Sequence, residues 1–172
     1  MAYGESVHAL NLLTRMGMMH FMAGEVLDLG CGPEPVLPRA VGVNRGGAPP
    51  VRALDVDALS TDLADYFNGK QFDTVFSSHC LEHMYSPIAF TLKHWLQVVR
   101  PGGFMVLYLP DERYYQFHAN PFIRNPEHFH YLTMDTFEWY LIQLDNVRIV
   151  HLIPDVDTRH GRYSFLVVLE KK

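Results

Sequence analysis

The sequence predicts an α/β fold: a doubly wound, mostly parallel seven-stranded sheet in a three-layer sandwich, ending in an antiparallel hairpin. Two observations support this prediction. Short apolar runs alternate with segments of helical spacing along most of the chain, which is typical of a parallel sheet with helices on its faces. The last two apolar runs are joined by a connection too short for a parallel crossover, so we expect them to pair antiparallel.

The first half of the chain begins with a predicted helix. Apolar residues at helical spacing indicate a helix over about residues 6–22, with Ser6 as its N-cap and Gly24 as its stop. Strands are predicted over residues 25–30, 40–44 and 51–56. A short helix then runs over residues 60–69. We expect one domain over residues 1–172, with the N-terminal helix in residues 1–24.

The second half continues the alternation. Strands are predicted over residues 72–78, 104–110, 147–153 and 163–170. Helices are predicted over residues 87–99 and 134–144, the second capped by Thr133. Between the fifth strand and the last helix, residues 111–132 are predicted to form a long loop rich in aromatic residues and histidine. This loop follows the carboxyl end of a strand, which makes it a candidate lid over a substrate pocket.

Composition excludes several classes of function. The chain has 172 residues, 48% of them hydrophobic, and a formal net charge of −5, so a nucleic-acid partner is not expected. No apolar run reaches the length of a membrane span. The two cysteines, Cys31 and Cys80, do not suggest a disulfide framework and favour a reducing, cytoplasmic location.

The first strand ends in "DLGCG", a glycine turn of the kind that binds a ligand at the edge of a parallel sheet. A dinucleotide site would need a third glycine, but that position is Pro35. Only ten residues separate Gly30 from Val41, and three of them are proline, so a full crossover helix hardly fits. The turn is therefore expected to hold a ligand without a diphosphate.

Four segments in order carry a family resemblance: "VLDLGCG", "FDTVFSSHCLEHM", "VVRPGGFMVLYLP" and "EHFHYLTMDTFEWYL". With them the chain resembles the class I S-adenosylmethionine-dependent methyltransferases, in particular the small-molecule enzymes of the methyltransferase type 11 group. The resemblance covers roughly residues 25–170. It implies methyl transfer from S-adenosylmethionine to an oxygen or nitrogen atom of a small-molecule acceptor.

The resemblance also implies a set of cofactor contacts. The methionine part would lie against Asp28, Leu29, Gly30, Cys31 and Gly32. The ribose would meet Asn44, the adenine Asp55 and Val56, and the methyl end Ser77, Ser78 and His79. At the ribose position the family usually has an acidic residue, so Asn44 departs from the pattern and lacks the charge.

Catalytic residues are less well specified. A base is needed only when the acceptor must lose a proton, and the candidates are His79 and His130. No metal ligand is assigned, although His79, Glu82 and His83 would share a face if a helical turn begins at His79, which would suit a metal-assisted methyltransferase.

Other functions and partners remain open at this point. One alternative is a non-catalytic methyltransferase-like subunit or regulator, and another is a nucleotide-dependent oxidoreductase. The apolar face of the first helix either packs on its own sheet or joins two copies in a homodimer.

Overall fold

The computed structural model describes residues 3–46, 51–53, 63–118 and 125–172, with the backbone alone at residues 3 and 116–118. Seven strands form one sheet in the order β3-β2-β1-β4-β5-β7-β6. The strands are β1 (Val26–Leu29), β2 (Val41–Asn44), β3 (Arg52–Ala53), β4 (Phe72–Ser78), β5 (Val99–Pro110), β6 (Val147–Asp157) and β7 (Arg162–Lys171).

Strand directions follow the predicted scheme. β1 pairs in parallel with both β2 and β4, and β4 pairs in parallel with β5. β7 runs antiparallel to both of its neighbours, β5 and β6. The prediction of a mostly parallel sheet with a C-terminal antiparallel hairpin is therefore confirmed.

Five α-helices lie in the described residues: α1 (Tyr3–Arg15), α2 (Leu63–Tyr66), α3 (Ile88–Gln97), α4 (Glu112–His118) and α5 (Met134–Leu141). Three 3₁₀ helices occur at Met19–Met22, Leu81–His83 and Thr158–His160. In this part of the chain, no helix has both the length and the apolar character needed to cross a bilayer.

The central strands of the sheet are buried on both faces. Successive residues of β5 point to opposite sides, so Leu107 belongs to one apolar cluster and Tyr108 to the other. The Leu107 cluster includes Trp95 of α3 and Phe137 of α5, both fully buried. The Tyr108 cluster includes Leu13 of α1. This two-sided burial explains the continuous apolar runs of the central strands.

The first predicted helix is wrong in its extent. α1 begins at Tyr3 rather than after a cap at Ser6, and it ends at Arg15. Gly17 then adopts a left-handed conformation with φ of 67°, as residues just beyond a helix end often do. The chain resumes as the 3₁₀ helix Met19–Met22, whose Phe21 and Met22 side chains are buried.

The predicted loop over residues 111–132 is wrong in its first part, because α4 occupies Glu112–His118. The buried Asp111 precedes this helix, and its Oδ1 accepts the backbone N–H of Arg113 at 3.1 Å, as a capping aspartate does. The predicted cap of α5 is confirmed, since Thr133 Oγ1 accepts the N–H of Thr136 at 3.1 Å.

Candidate functional site

The glycine turn, Gly30–Gly32, lies where β1 ends in the middle of the sheet. The carbonyl of Val43 in β2 accepts the N–H of Gly30 at 2.8 Å and that of Cys31 at 3.3 Å. Both bonds hold the turn against the neighbouring strand. Its position at the carboxyl end of a parallel strand is where open α/β sheets bind ligands.

The two glycines of the turn are needed for different reasons. Gly30 has φ of 74°, and a Cβ there would lie 2.4 Å from the Cys80 Sγ atom. Gly32 has φ of 66°, but a Cβ there would have no neighbour within 4 Å. Gly30 thus makes room for the protein's own β4 segment, whereas Gly32 borders open space that a ligand can use.

The segment that directly follows the turn forms no helix. Residues 33–40 form only turns and bends, which confirms that a crossover helix does not fit here. Pro35 packs against β2 so closely that a Cβ on Gly42 would lie 2.7 Å from its ring. The absence of a helix N-terminus at this point removes the usual site for a diphosphate.

An open cavity of about 250 Å³ adjoins the glycine turn. It lies between α1 and the proline-rich segment. Its lining residues are Ser6, Val7, Leu10, Cys31, Glu34, Pro35, Val36 and Pro38. Side chains of the described residues therefore leave space beside Cys31.

Asp28 is a buried structural acceptor at the end of β1. Its Oδ2 accepts the N–H of Val36 at 2.6 Å, which ties the proline-rich segment to the strand. Burial raises the pKa of Asp28 to about 7, although the hydrogen bond from Val36 acts in the opposite direction. Burial likewise raises the pKa of Cys31 to about 12, with a smaller contribution from Asp28, so this thiol stays protonated.

Of the residues predicted to contact the ribose and adenine, only Asn44 lies within the described part of the chain. Asn44 ends β2, and its side-chain Nδ2 donates to the carbonyl of Arg45 at 3.3 Å. This leaves its amide oxygen available as an acceptor. Asp55 and Val56 lie outside the described residues.

The two serines that end β4 differ in their partners. Ser77 donates its hydroxyl to the carbonyl of Leu29 at 2.9 Å and so links β4 to β1. Ser78 is also buried, but its hydroxyl makes no hydrogen bond within the described part of the chain. The structure therefore gives Ser77 and Leu29 a structural role and leaves the Ser78 hydroxyl open.

His79 follows directly and adopts a left-handed conformation with φ of 47°. Its Nε2 lies 2.9 Å from the hydroxyl of Ser164 and 3.5 Å from Glu5 Oε2. Burial and, to a smaller extent, the neighbouring His128 lower the pKa of His79 to about 3. The imidazole is thus neutral near pH 7, and its contact with Glu5 is a polar contact rather than an ion pair.

The helical premise of the metal alternative is wrong. The turn after β4 is a 3₁₀ helix over Leu81–His83, and His79 lies before it. The residues that come together are instead Glu82, His83 and His128, whose ligand atoms all lie within 4.8 Å of one another. We call these three residues the histidine–glutamate cluster.

Glu82 is the centre of that cluster and is fully buried. Neither of its carboxylate oxygens has a hydrogen-bond partner among the described residues, although Oε1 lies 3.7 Å from His79 Nδ1 and 3.8 Å from His83 Nε2. Burial raises the pKa of Glu82 to about 8. The carboxyl group is therefore largely protonated near pH 7 in the protein alone.

Both histidines of the cluster are neutral as well. Burial lowers the pKa of His83, while its bond to the Glu127 carbonyl acts in the opposite direction. Burial lowers the pKa of His128 to about 4, and the proximity of His83 adds to this effect. Their rings meet edge to face with centroids 4.7 Å apart.

Tyrosines surround the cluster, and sequence reasoning did not connect them to it. The ring of Tyr115 on α4 lies 5.0 Å from that of His128 and 5.1 Å from that of Tyr163 on β7. The hydroxyl of Tyr163 donates to Glu5 of α1 at 2.9 Å. Four separate elements thus supply these polar groups, which no spacing rule could have revealed.

His130, the second predicted base, anchors the segment that carries the cluster. Its Nε2 lies 2.9 Å from the carbonyl of Ser86, and since a carbonyl can only accept, Nε2 carries the proton. Its backbone N–H donates to the carbonyl of Glu82 at 3.1 Å. Only Nδ1 is left to act as a base.

Most of the chain matches a known protein family. A family model described as a methyltransferase domain matches residues 6–152. This match includes the glycine turn, the end of β4 and the histidine–glutamate cluster. No curated protein sequence matches the chain.

Solved structures share the fold. The glycopeptide N-methyltransferase MtfA, solved with S-adenosyl-L-homocysteine, aligns with a TM-score of 0.65 and 16% identity over 98% of this chain and 90% of its own. The plantazolicin methyltransferase BpumL aligns with a TM-score of 0.63 and 10% identity over 99% of this chain and 85% of its own. An S-adenosylmethionine-dependent methyltransferase from Mesorhizobium loti aligns with a TM-score of 0.56 and 15% identity over 87% of this chain and 91% of its own. At identities this low, the alignments show that the fold is shared and nothing more specific.

Proposed function

We propose that this chain, which belongs to the methyltransferase domain family and is an S-adenosylmethionine-dependent enzyme, transfers a methyl group to an oxygen or nitrogen atom of a small molecule. The family match over residues 6–152 is the observation that carries the proposal. The glycine turn supports it, because no helix follows to favour a diphosphate.

We place the cofactor across the carboxyl ends of β1, β2 and β4. The proposed contacts to its methionine part are Asp28, Leu29, Gly30, Cys31 and Gly32. Those to the nucleoside are Asn44, Asp55 and Val56, and those to the methyl end are Ser77, Ser78 and His79. The open space beside Gly32 and the unpartnered hydroxyl of Ser78 support this arrangement.

We place the acceptor beside His79 and propose that the segment 111–132, of which residues 119–124 lie outside the described residues, forms its lid. The imidazoles and half-buried phenols of this region offer hydrogen bonds in both directions to a small polar molecule. The net charge of −5 and the lack of a basic run do not favour a nucleic acid as acceptor. We propose that the described sheet and its helices act as one three-layer catalytic unit within residues 1–172.

When bound, S-adenosylmethionine supplies a methyl group already activated by its positive sulfur. The residues of the chain then have three tasks: to orient the acceptor, to exclude water and to accept a proton. Burial holds the pKa of His79 at about 3, so near pH 7 its neutral imidazole is a weak base and accepts a proton only from an acidic acceptor group. Its contact with Ser164 at 2.9 Å fixes the ring orientation. The proposed proton acceptors are His79 and, through its Nδ1, His130.

Binding and turnover together test the proposal. S-adenosylhomocysteine should bind in calorimetric titration, and methyl-labelled S-adenosylmethionine should label acceptors in a library of small phenols, carboxylic acids and amines, read by mass spectrometry. Absence of cofactor binding at millimolar concentration would contradict the assignment. Binding without transfer to any acceptor would instead favour a regulatory, non-catalytic role.

A variant at Asn44 sharpens the placement of the cofactor. Asn44→Asp restores a charged acceptor and should tighten cofactor binding about fivefold, since a charged acceptor adds about 1 kcal/mol. The control is Asn146→Asp, because Asn146 is exposed and precedes β6 at the opposite end of the sheet. Equal affinities for Asn44→Asp and the wild type would contradict the ribose contact.

A further inference from the structure

The geometry points to a binding site for a divalent transition-metal ion formed by Glu82, His83 and His128. One ligand atom from each residue lies within 4.8 Å of the others. Two imidazoles and a carboxylate are the ligand set of many three-ligand zinc and iron centres. The inference concerns this cluster alone and does not depend on which acceptor the enzyme uses.

The first argument is the state of the Glu82 carboxylate. The residue is fully buried, and both oxygens lack a hydrogen bond among the described residues. A buried polar group without a partner costs about 1–3 kcal/mol, which makes such a group rare in a folded protein. A metal ion would satisfy this carboxylate directly and offset the cost.

The second argument is the tautomer of His83. Its Nδ1 lies 2.9 Å from the Glu127 carbonyl, and because a carbonyl can only accept, Nδ1 carries the proton. The lone pair of the neutral ring is therefore on Nε2, the atom that lies 3.8 Å from Glu82 Oε1. A backbone carbonyl that orients a histidine in this way is the usual outer partner of a metal ligand.

The third argument is that the two segments carrying the ligands are held together by the backbone. The Glu82 carbonyl accepts the N–H of Phe129 at 2.9 Å and that of His130 at 3.1 Å. His128 immediately precedes this pair and is buried. The site is thus assembled before any ion arrives, which lowers the entropic cost of binding.

The ligand atoms all lie within 4.8 Å of one another, so side-chain adjustment is needed to reach the spacing around a small ion. With bonds of about 2.1 Å, two ligands of a tetrahedral ion are separated by about 3.4 Å. The observed separation of 3.8 Å between His83 Nε2 and Glu82 Oε1 exceeds this by a few tenths of an ångström. Small side-chain rotations close that gap. Magnesium and calcium prefer all-oxygen sites, so the ligand set favours zinc, cobalt or iron(II).

Three protein ligands leave at least one coordination position for water or another molecule. In the methyltransferase proposed above, an acceptor oxygen or nitrogen can occupy this position, since Tyr115 and His79 border the cluster. This last step rests on the proposed function, whereas the metal site itself does not.

Cobalt(II) titration tests the site directly. The full chain is stripped with a chelator and titrated with cobalt, whose visible absorption bands report a four- or five-coordinate site, and zinc is then added as competitor. We expect one equivalent to bind in the wild type. Glu82→Gln, His83→Gln and His128→Gln should each weaken binding at least about 100-fold, because loss of an outer partner alone costs 10- to 100-fold.

The matched control is His94→Gln, which removes a half-buried histidine of α3 whose Nδ1 lies 2.9 Å from the carbonyl of Phe90 in the same helix. It should bind cobalt like the wild type. Circular dichroism and S-adenosylhomocysteine titration of each variant show that it is folded and report on the cofactor site separately. A folded wild type that binds neither cobalt nor zinc, or folded cluster variants that bind as tightly as the control, would overturn the inference.

Discussion

The glycine turn and the histidine–glutamate cluster both lie at the carboxyl ends of the parallel strands, but their buried polar groups differ in hydrogen bonding. Around the turn, Asp28 accepts the N–H of Val36 at 2.6 Å, and the carbonyl of Leu29 accepts the hydroxyl of Ser77 at 2.9 Å. In the cluster, the buried carboxylate of Glu82 has no hydrogen bond among the described residues.

The difference shows in which region folding alone satisfies the hydrogen bonds of the buried polar groups. The buried polar groups around the turn are satisfied by the chain's own hydrogen bonds, so the loss of one of them should be measured first as a change in the free energy of unfolding. The cluster is incomplete, so changes there should be read mainly in what the protein binds. Substitutions in and around the turn test this separation.

The largest effect is expected at Gly30. Gly30→Ala should lower the free energy of unfolding by about 4 kcal/mol, since left-handed strain and overpacking each cost about 1–3 kcal/mol and the new Cβ would lie 2.4 Å from Cys80 Sγ. Urea unfolding measures the loss. In the matched variant Gly32→Ala the Cβ meets no neighbour within 4 Å, so only the backbone strain of about 1 kcal/mol should remain. Equal losses would show that packing against Cys80 is unimportant.

The next effect is a pH dependence from Asp28. Burial raises its pKa from 3.8 to about 7, so between these values the folded state holds a proton that the unfolded state has lost. Stability should therefore fall as the pH rises through this range, by about 1.4 kcal/mol per pH unit, and level off above pH 7.

Asp28→Asn isolates that contribution, because the amide keeps an acceptor for Val36 but does not titrate in this range. Urea unfolding of both proteins at pH 5, 6 and 7 should show the wild type losing roughly 2 kcal/mol relative to the variant over this range, since Asp28 is already half ionised at pH 7. A difference that stays constant with pH would mean that Asp28 is not buried as the structure shows.

The smallest effect comes from the adjacent serines of β4. Ser77→Ala removes a hydrogen bond to the carbonyl of Leu29 and should lower the free energy of unfolding by about 1 kcal/mol. Ser78→Ala removes a buried hydroxyl without a partner in the described chain, so stability should stay within about 0.5 kcal/mol or rise. Urea unfolding of the pair checks this, and a larger loss at Ser78 would contradict the comparison.

The sequence predicted the sheet well because the relevant signals are local. The apolar run of β5 reflects burial on both faces, seen at Leu107 and Tyr108. The cap at Thr133 was also visible as a short pattern. Two local signals were misinterpreted: Gly17 was placed inside a helix that in fact ends at Arg15, and Asp111 was not recognised as the cap of α4.

The arrangement around Glu82 could not be predicted from spacing. His128 meets Glu82 only because backbone bonds from Phe129 and His130 fix the register between two distant segments. His79 was grouped with Glu82 on the assumption of a helical turn, but its left-handed backbone places it before a 3₁₀ helix. Contacts of this kind depend on the folded chain and leave no periodic trace in the sequence.

The two backbone bonds to the Glu82 carbonyl have a consequence for how such an enzyme can diversify. They fasten the chain just after His128, while α4 fixes it from Glu112 onward. Because these bonds are made by the main chain, substitutions of the exposed Phe129 side chain beside the cluster leave them in place and do not shift the imidazoles. Descendants of one scaffold could thus accept molecules of different size while retaining the same chemistry beneath.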